Sequence, residues 1–208
     1  MSNCGFLRRL AAVFALGALA LAAGASQPAG ASTGCGARAS GQHFLPWLDP
    51  AYYTLAPNGG LESGSTAWSL RGGAKVVPGN EEFYVRAAGD DYSLSLPAGS
   101  SATTGTTCVE LLDPTMRLFV VNSGSLLSTL QVEVLYDDMF GTPRAQTIAL
   151  LPATKRWQPS LPTLFLANLL HPPLLTDGKV DVAFRFTPRG VSSGWRIDDV
   201  YVDPFKDF

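Results

Sequence analysis

Charge is what this sequence has least of. Only 15% of its 208 residues are Asp, Glu, Lys or Arg, well below the roughly 25% of an ordinary soluble domain. The 15 Lys and Arg stand against 17 Asp and Glu, a formal net charge of −2, and they form no basic stripe. That argues against a nucleic-acid partner, since such binding needs clustered cations to release phosphate counterions. Histidine is nearly missing: His43 and His171 have no Cys, His or Asp neighbour at metal-ligand spacing, so no zinc pattern exists. There is no phosphate-cradling glycine loop and no dinucleotide fingerprint. The Gly-x-Ser-x-Gly match at Gly30–Gly34 has no strand before it and no helix after it, so it is not a nucleophile elbow. Acid pairs occur at Glu81-Glu82, Asp90-Asp91, Asp137-Asp138 and Asp198-Asp199. A glycosidase needs two such groups across a cleft, but adjacent acids in turns are expected to be solvated, and no enzyme is expected here.

Only one long apolar run is present. Arg8 and Arg9 precede Leu10–Gly24, which is almost wholly Ala, Leu, Val and Phe. At about 15 residues it is short for the roughly 20 of a spanning helix. Small residues follow at Ala23-Gly24-Ala25 and Ala29-Gly30-Ala31. The pattern is that of a secretory signal peptide over residues 1–31, cut before Ser32. The mature chain would then carry 13 basic and 17 acidic residues and no membrane span. Cys4 leaves with the leader, so Cys35 and Cys108 remain. An even pair in an exported chain is expected to form a disulfide; two free thiols are the alternative. The protein is expected to be secreted or held at the cell surface, and monomeric. The leader suits a bacterial exporter.

Beyond a flexible lead at 32–43, the chain reads as one domain, 44–208. Phe44-Leu45-Pro46-Trp47-Leu48 holds a proline and suits a segment packed over a sheet edge. Then come short apolar runs bounded by Gly, Pro, Asn or Asp, with 21 Gly and 15 Pro in all. Strands are expected at 52–56, 68–70, 74–77, 82–85, 92–96, 103–109, 116–121, 130–135, 147–151, 180–187 and 195–202. In Val180-Asp181-Val182-Ala183-Phe184-Arg185-Phe186 and Leu130-Gln131-Val132-Glu133-Val134 the apolar residues alternate with polar ones, giving one buried and one wet face. This describes an all-β antiparallel sandwich, naturally a jelly roll. Leucine-rich Leu161–Leu170, with few β-branched residues, predicts one short helix capped by Ser160.

Two motifs carry a family resemblance. Asn58-Gly59-Gly60-Leu61-Glu62, followed by Ala67-Trp68, resembles the opening of carbohydrate-binding modules with the galactose-binding-like jelly roll, though Leu61 and Ala67 stand where those modules have Phe and Gly. Trp195-Arg196-Ile197-Asp198-Asp199-Val200-Tyr201-Val202 is similar to their last strand. Its apolar parity changes between Ile197 and Val200, which predicts a bulge at the Asp pair. The resemblance implies a structural calcium ion held by Glu62 with Asp198 or Asp199, hard oxygen donors for a hard cation; turn capping, or pairing with Arg196, is the other reading of those acids. It also implies binding of a polysaccharide or surface glycan by exposed aromatic rings. Trp157, between Lys155-Arg156 and Gln158-Pro159, is the candidate platform, with Tyr84, Tyr92 and Tyr136 as partners; core packing is the alternative for each. Trp68 and Trp195 belong to the core. A cell-envelope structural or adhesive protein with the same fold and no sugar site is the competing expectation.

Overall fold

The computed structural model describes Cys35 and residues 38–110, 115–165 and 179–202. The chain divides into units 1–31 and Ser32–Phe208; the leader expected at 1–31 lies outside the described residues. Within the second unit, a 3₁₀ turn at Leu45–Trp47 is followed by thirteen described strands: β1 Thr54–Leu55, β2 Trp68–Arg71, β3 Lys75–Pro78, β4 Tyr92–Pro97, β5 Ser101–Thr104, β6 Thr107–Val109, β7 Thr115–Asn122, β8 Thr129–Asp137, β9 Pro143–Pro152, β10 Gln158–Pro159, β11 Thr163–Leu164, β12 Val180–Arg189 and β13 Gly194–Val202. They form two sheets. One runs β10-β7-β13-β4-β3, with β1 paired to β13 and β11 to β7; the other runs β2-β5-β12-β8-β9, with β6 paired to β12. Every ladder is antiparallel. This is the expected jelly-roll β-sandwich.

Alternation places the core between the sheets. Val180, Val182, Phe184 and Phe186 of β12 and Leu130, Val132, Val134 and Tyr136 of β8 point inward, against Leu94, Leu96, Met116, Leu118, Trp195 and Ile197. Burying each such side chain contributes roughly 1.5–3 kcal/mol. Trp68 and Trp195 lie in this core as expected. Register on β13 slips between Asp198 and Tyr201, and Asp199 takes φ 46°. The predicted bulge is there. It turns Val200 and Val202 inward and Tyr201 outward.

Two expectations are corrected. Thr163–Leu164 pair with Met116 and Thr115 of β7 and do not start a helix, because Pro162 disfavours helical geometry at Leu161; the rest of the expected helix, from 166 on, lies outside the described residues. Glu82–Val85 form a loop, since the Glu81 carboxylate takes the N–H groups of Phe83 and Val85 that a ladder would need. The lead is tied down at its described residues. Cys35 and Cys108 are disulfide-bonded with Cα atoms 5.5 Å apart, Arg38 donates to the Cys108 carbonyl at 2.7 Å, and Gly41 exchanges backbone hydrogen bonds with Tyr53.

Candidate functional site

The segment that follows the lead, residues 44–53, covers one sheet from outside. β7 is buried on both faces, and its outward Phe119 is covered by Phe44, whose ring lies 5.5 Å away and stacked. Phe44, Ala51, Tyr53, Phe119, Trp157 and Tyr201 make a second core on the outside of the seven-stranded sheet. Arg117, 4% exposed, locks it: the guanidinium pairs with Asp49 at 2.7 Å, donates to the Ser160 carbonyl at 2.8 Å and sits 4.1 Å from the Phe44 ring centroid. Burial pushes the Asp49 carboxyl up, but hydrogen bonds from Tyr53, Ala51 and Arg117 outweigh it and hold Asp49 below its ordinary range.

Where this cover stops, an open cleft of about 670 Å³ is lined by Gln42, His43, Pro46, Trp47, Phe83 and Val85. Trp47 and Phe83 meet edge to face, centroids 5.0 Å apart at 85°, and Phe83 is 45% exposed. His43 stacks on Tyr201 at 4.4 Å. Burial holds its pKa below the usual value, so at neutral pH the ring offers one donor and one acceptor. The loop that presents Phe83 is wound around the buried Glu81 carboxylate and places Tyr84 at φ 51°, a conformation that costs a non-glycine residue energy unless its surroundings fix it.

Beneath this loop lies a cluster of acids. Glu81, Asp198 and Asp199 are fully buried and Asp90 nearly so; of these three pairs only Glu82 and Asp91 are exposed, as expected of solvated turn acids. Asp198 accepts from the N–H groups of Glu81 and Asp199. Burial first, then the Asp199 charge, pushes Asp198 up to about 9. Burial, then Glu81 and Asp90, pushes Asp199 up to about 7. Arg86 pairs with Asp90 through Nε at 2.8 Å and feels Asp199 and Glu62. Its backbone N–H faces Asp199 but outside hydrogen-bond geometry, since both Asp199 carboxylate oxygens are buried without a partner. A Cβ at Gly60 would come within 2.7 Å of Arg86 Nε and 3.0 Å of Asp199 Oδ1, so a side chain there would displace Arg86. Glu62 instead receives the N–H groups of Asp91 and Tyr92, each at 3.0 Å.

The expected metal ligands are thus brought to one region but not to one point. Among the described residues no three His, Cys, Asp or Glu side chains are grouped to hold a metal as they stand. Asp199 nevertheless fits a hard cation, because orphaned buried carboxylate oxygens in an excess of negative charge call for either a proton or a cation. The aromatic candidates divide. Trp157 is 8% exposed, packed in the second core with Arg196 5.7 Å from its ring centroid, and Tyr136 is 8% exposed in the first core; neither is a platform. Tyr84 and Tyr92 are 50% and 41% exposed. His43, Trp47, Phe83 and the buried Glu81 and Asp90 were not legible as a site, having no spacing that joins residues 43–47 to 81–90.

The sheets, the bulged last strand and the closure of β1 on β13 define a galactose-binding-like jelly-roll sandwich, the fold of carbohydrate-binding modules. The chain is similar to part of the Clostridium thermocellum endo-1,4-β-D-xylanase 10B chain that holds CBM22-1 and GH10 modules, solved with xylohexaose, at 14% identity over 68% of this chain and 27% of that one, TM-score 0.50. It is similar to the CBM22-1 xylan-binding domain from Paenibacillus barcinonensis at 17% identity over 72% and 93%, TM-score 0.48. For the TmCBM61 module solved with β-1,4-galactotriose the figures are 18% over 71% and 96%, TM-score 0.39. No family model matches the chain, and no curated protein matches it in sequence.

Proposed function

We propose that this chain is a secreted, non-catalytic glycan-binding protein whose sugar site is the cleft between the 42–47 segment and the Glu81–Arg86 loop. One observation carries this reading: Trp47 and Phe83 form an open aromatic corner flanked by the polar side chains of Gln42 and His43. Sugar C–H faces pack on such rings while polar groups fix the hydroxyls. Two perpendicular rings grip one sugar residue better than a run of them, so the substrate class is a short glycan or a chain end. A calcium ion, if bound, draws its carboxylate oxygen from Asp199, in the field of Glu62, Glu81, Asp90 and Asp198. Its chemistry is charge neutralisation, and it takes no part in a reaction.

The test is a glycan array probed with the Ser32–Phe208 unit, alongside thermal melts in calcium and in chelator. A hit lost in both Trp47→Ala and Phe83→Ala, with melting temperatures kept within a few degrees, supports the reading. Binding that persists in both variants moves the sugar site elsewhere. If no glycan is bound at all, the envelope-protein reading takes its place.

A further inference from the structure

We infer that one end of the sandwich, where the Ser125–Ser128 turn meets the Gly190–Ser193 loop, docks on an anionic phospholipid bilayer. The turn closes with the Ser128 N–H on the Ser125 carbonyl at 3.1 Å. Its two central residues are Leu126 and Leu127, 63% and 92% exposed, and the neighbouring loop adds Val191 at 83%. Central turn positions favour Pro, Asp, Asn, Ser and Gly for backbone reasons. Nothing in the turn's geometry calls for leucine, and no neighbour among the described residues covers these side chains.

The tip is braced for its position. Asn122, fully buried, donates from Nδ2 to the Ser125 carbonyl at 2.8 Å and accepts from the N–H groups of Gly124 and Gly194. Ser125 N–H donates to the Ser192 carbonyl at 2.9 Å. Ser128 Oγ donates to the Arg189 carbonyl and accepts from Trp195 Nε1, at 2.9 and 2.8 Å. The three apolar side chains are therefore held outward by a rigid frame rooted in the core.

Charge selects the occupant. The Lys155 ammonium donates to the Gly124 and Ser123 carbonyls, Arg156 follows it, and Arg189 closes β12 beside the turn. The stretches 114–132, 139–176 and 182–197, which supply the tip, its brace and these cations, contain no Asp or Glu, although the whole chain is net negative. A convex apolar tip offers no groove to a peptide, and two such tips facing each other bury little. Leucines that enter between headgroups, with cations just behind them, match an anionic lipid surface, where apolar burial and electrostatic attraction add.

The experiment is co-sedimentation of the Ser32–Phe208 unit, which holds every described element, with vesicles of phosphatidylcholine alone and of phosphatidylcholine with phosphatidylglycerol. The expected result is sedimentation with the phosphatidylglycerol vesicles only, released by high salt. Binding should fall at least tenfold in the Leu126→Ser, Leu127→Ser double variant and several-fold in Arg156→Glu, with near-ultraviolet circular dichroism unchanged. Absence of sedimentation, or equal sedimentation of the double variant, overturns the inference. So does self-association of the unmodified protein without lipid that the double variant abolishes, because a second copy would then be the occupant.

Discussion

The two outer faces of the sandwich are built from the same alternating strands and end differently. On the six-stranded sheet the outward residues of β8 and β12 meet water. Arg185 holds Glu133 opposite it in a two-pronged pair at 2.8 and 2.9 Å, and Gln131 links Thr147 and Arg189. On the seven-stranded sheet the outward residues of β7 and β13 include Arg117, Phe119 and Tyr201, closed over by Phe44, Asp49 and Tyr53. An open face can be polar and needs no partner. A covered face needs a second core, and the rim of its cover is where the aromatic cleft and the acid cluster both lie. The unusual chemistry of this molecule follows the cover.

The comparison breaks most visibly at Arg117. Arg117→Ala removes the cation under the cover and leaves Asp49 with only its hydrogen bonds from Tyr53 and Ala51; losing one member of a buried pair costs about 3 kcal/mol. A fall in melting temperature of roughly 9 °C is expected by calorimetry. Trp157→Ala should cost a similar amount, about 3 kcal/mol, by opening a cavity in the same second core. A Trp157→Ala variant that melts like the parent would show the ring to be peripheral.

The acid cluster gives a smaller, pH-dependent effect. Free carboxyls lose their protons near pH 4, whereas folding holds Asp199 up to about 7 and Asp198 up to about 9. Glu81 is shifted the same way by burial. A folded pKa raised above the unfolded one gives stability that is complete below the unfolded value and lost as pH rises through the folded one. In chelator the melting temperature should therefore fall steadily as pH is raised from about 5 to 9. Calcium should flatten that slope. Asp199→Asn should melt about 3 °C higher than the parent in chelator at alkaline pH and ignore calcium. A parent melting curve indifferent to both pH and calcium would remove the cation from the account.

The covered face was also the part the sequence hid. Period-two patterning exposed β8 and β12, since each has one wet side; β7, with Met116 to Val121 apolar apart from Arg117, showed its burial but not what covered it. The parity break at Asp198-Asp199 announced the bulge, because a bulge must shift side-chain phase. Glu81 and Asp90 read as solvated turn acids: burial there depends on a loop folding back on β13, and no local spacing encodes that contact. Trp157 failed as a platform for the same reason. Its flanking Lys155 and Arg156 mark a loop, yet the ring joins a core that also holds Phe44, Ala51 and Tyr53, more than a hundred residues earlier.

The open face supplies the smallest prediction and the control for the rest. Arg185 and Glu133 face each other across β12 and β8 in the same register, with geometry as good as that of Arg117 and Asp49, but the Arg185 side chain is 36% exposed. The pair holds Glu133 below its ordinary range, chiefly through the hydrogen bond from Arg185. Solvent screens it, and exposed pairs of this kind contribute about 0.5 kcal/mol. Arg185→Ala should therefore lower the melting temperature by only about 1–2 °C, with most of that loss removed in high salt. If Arg185→Ala proved as damaging as Arg117→Ala, pairing geometry rather than cover would govern stability, and the difference drawn between the two faces would collapse.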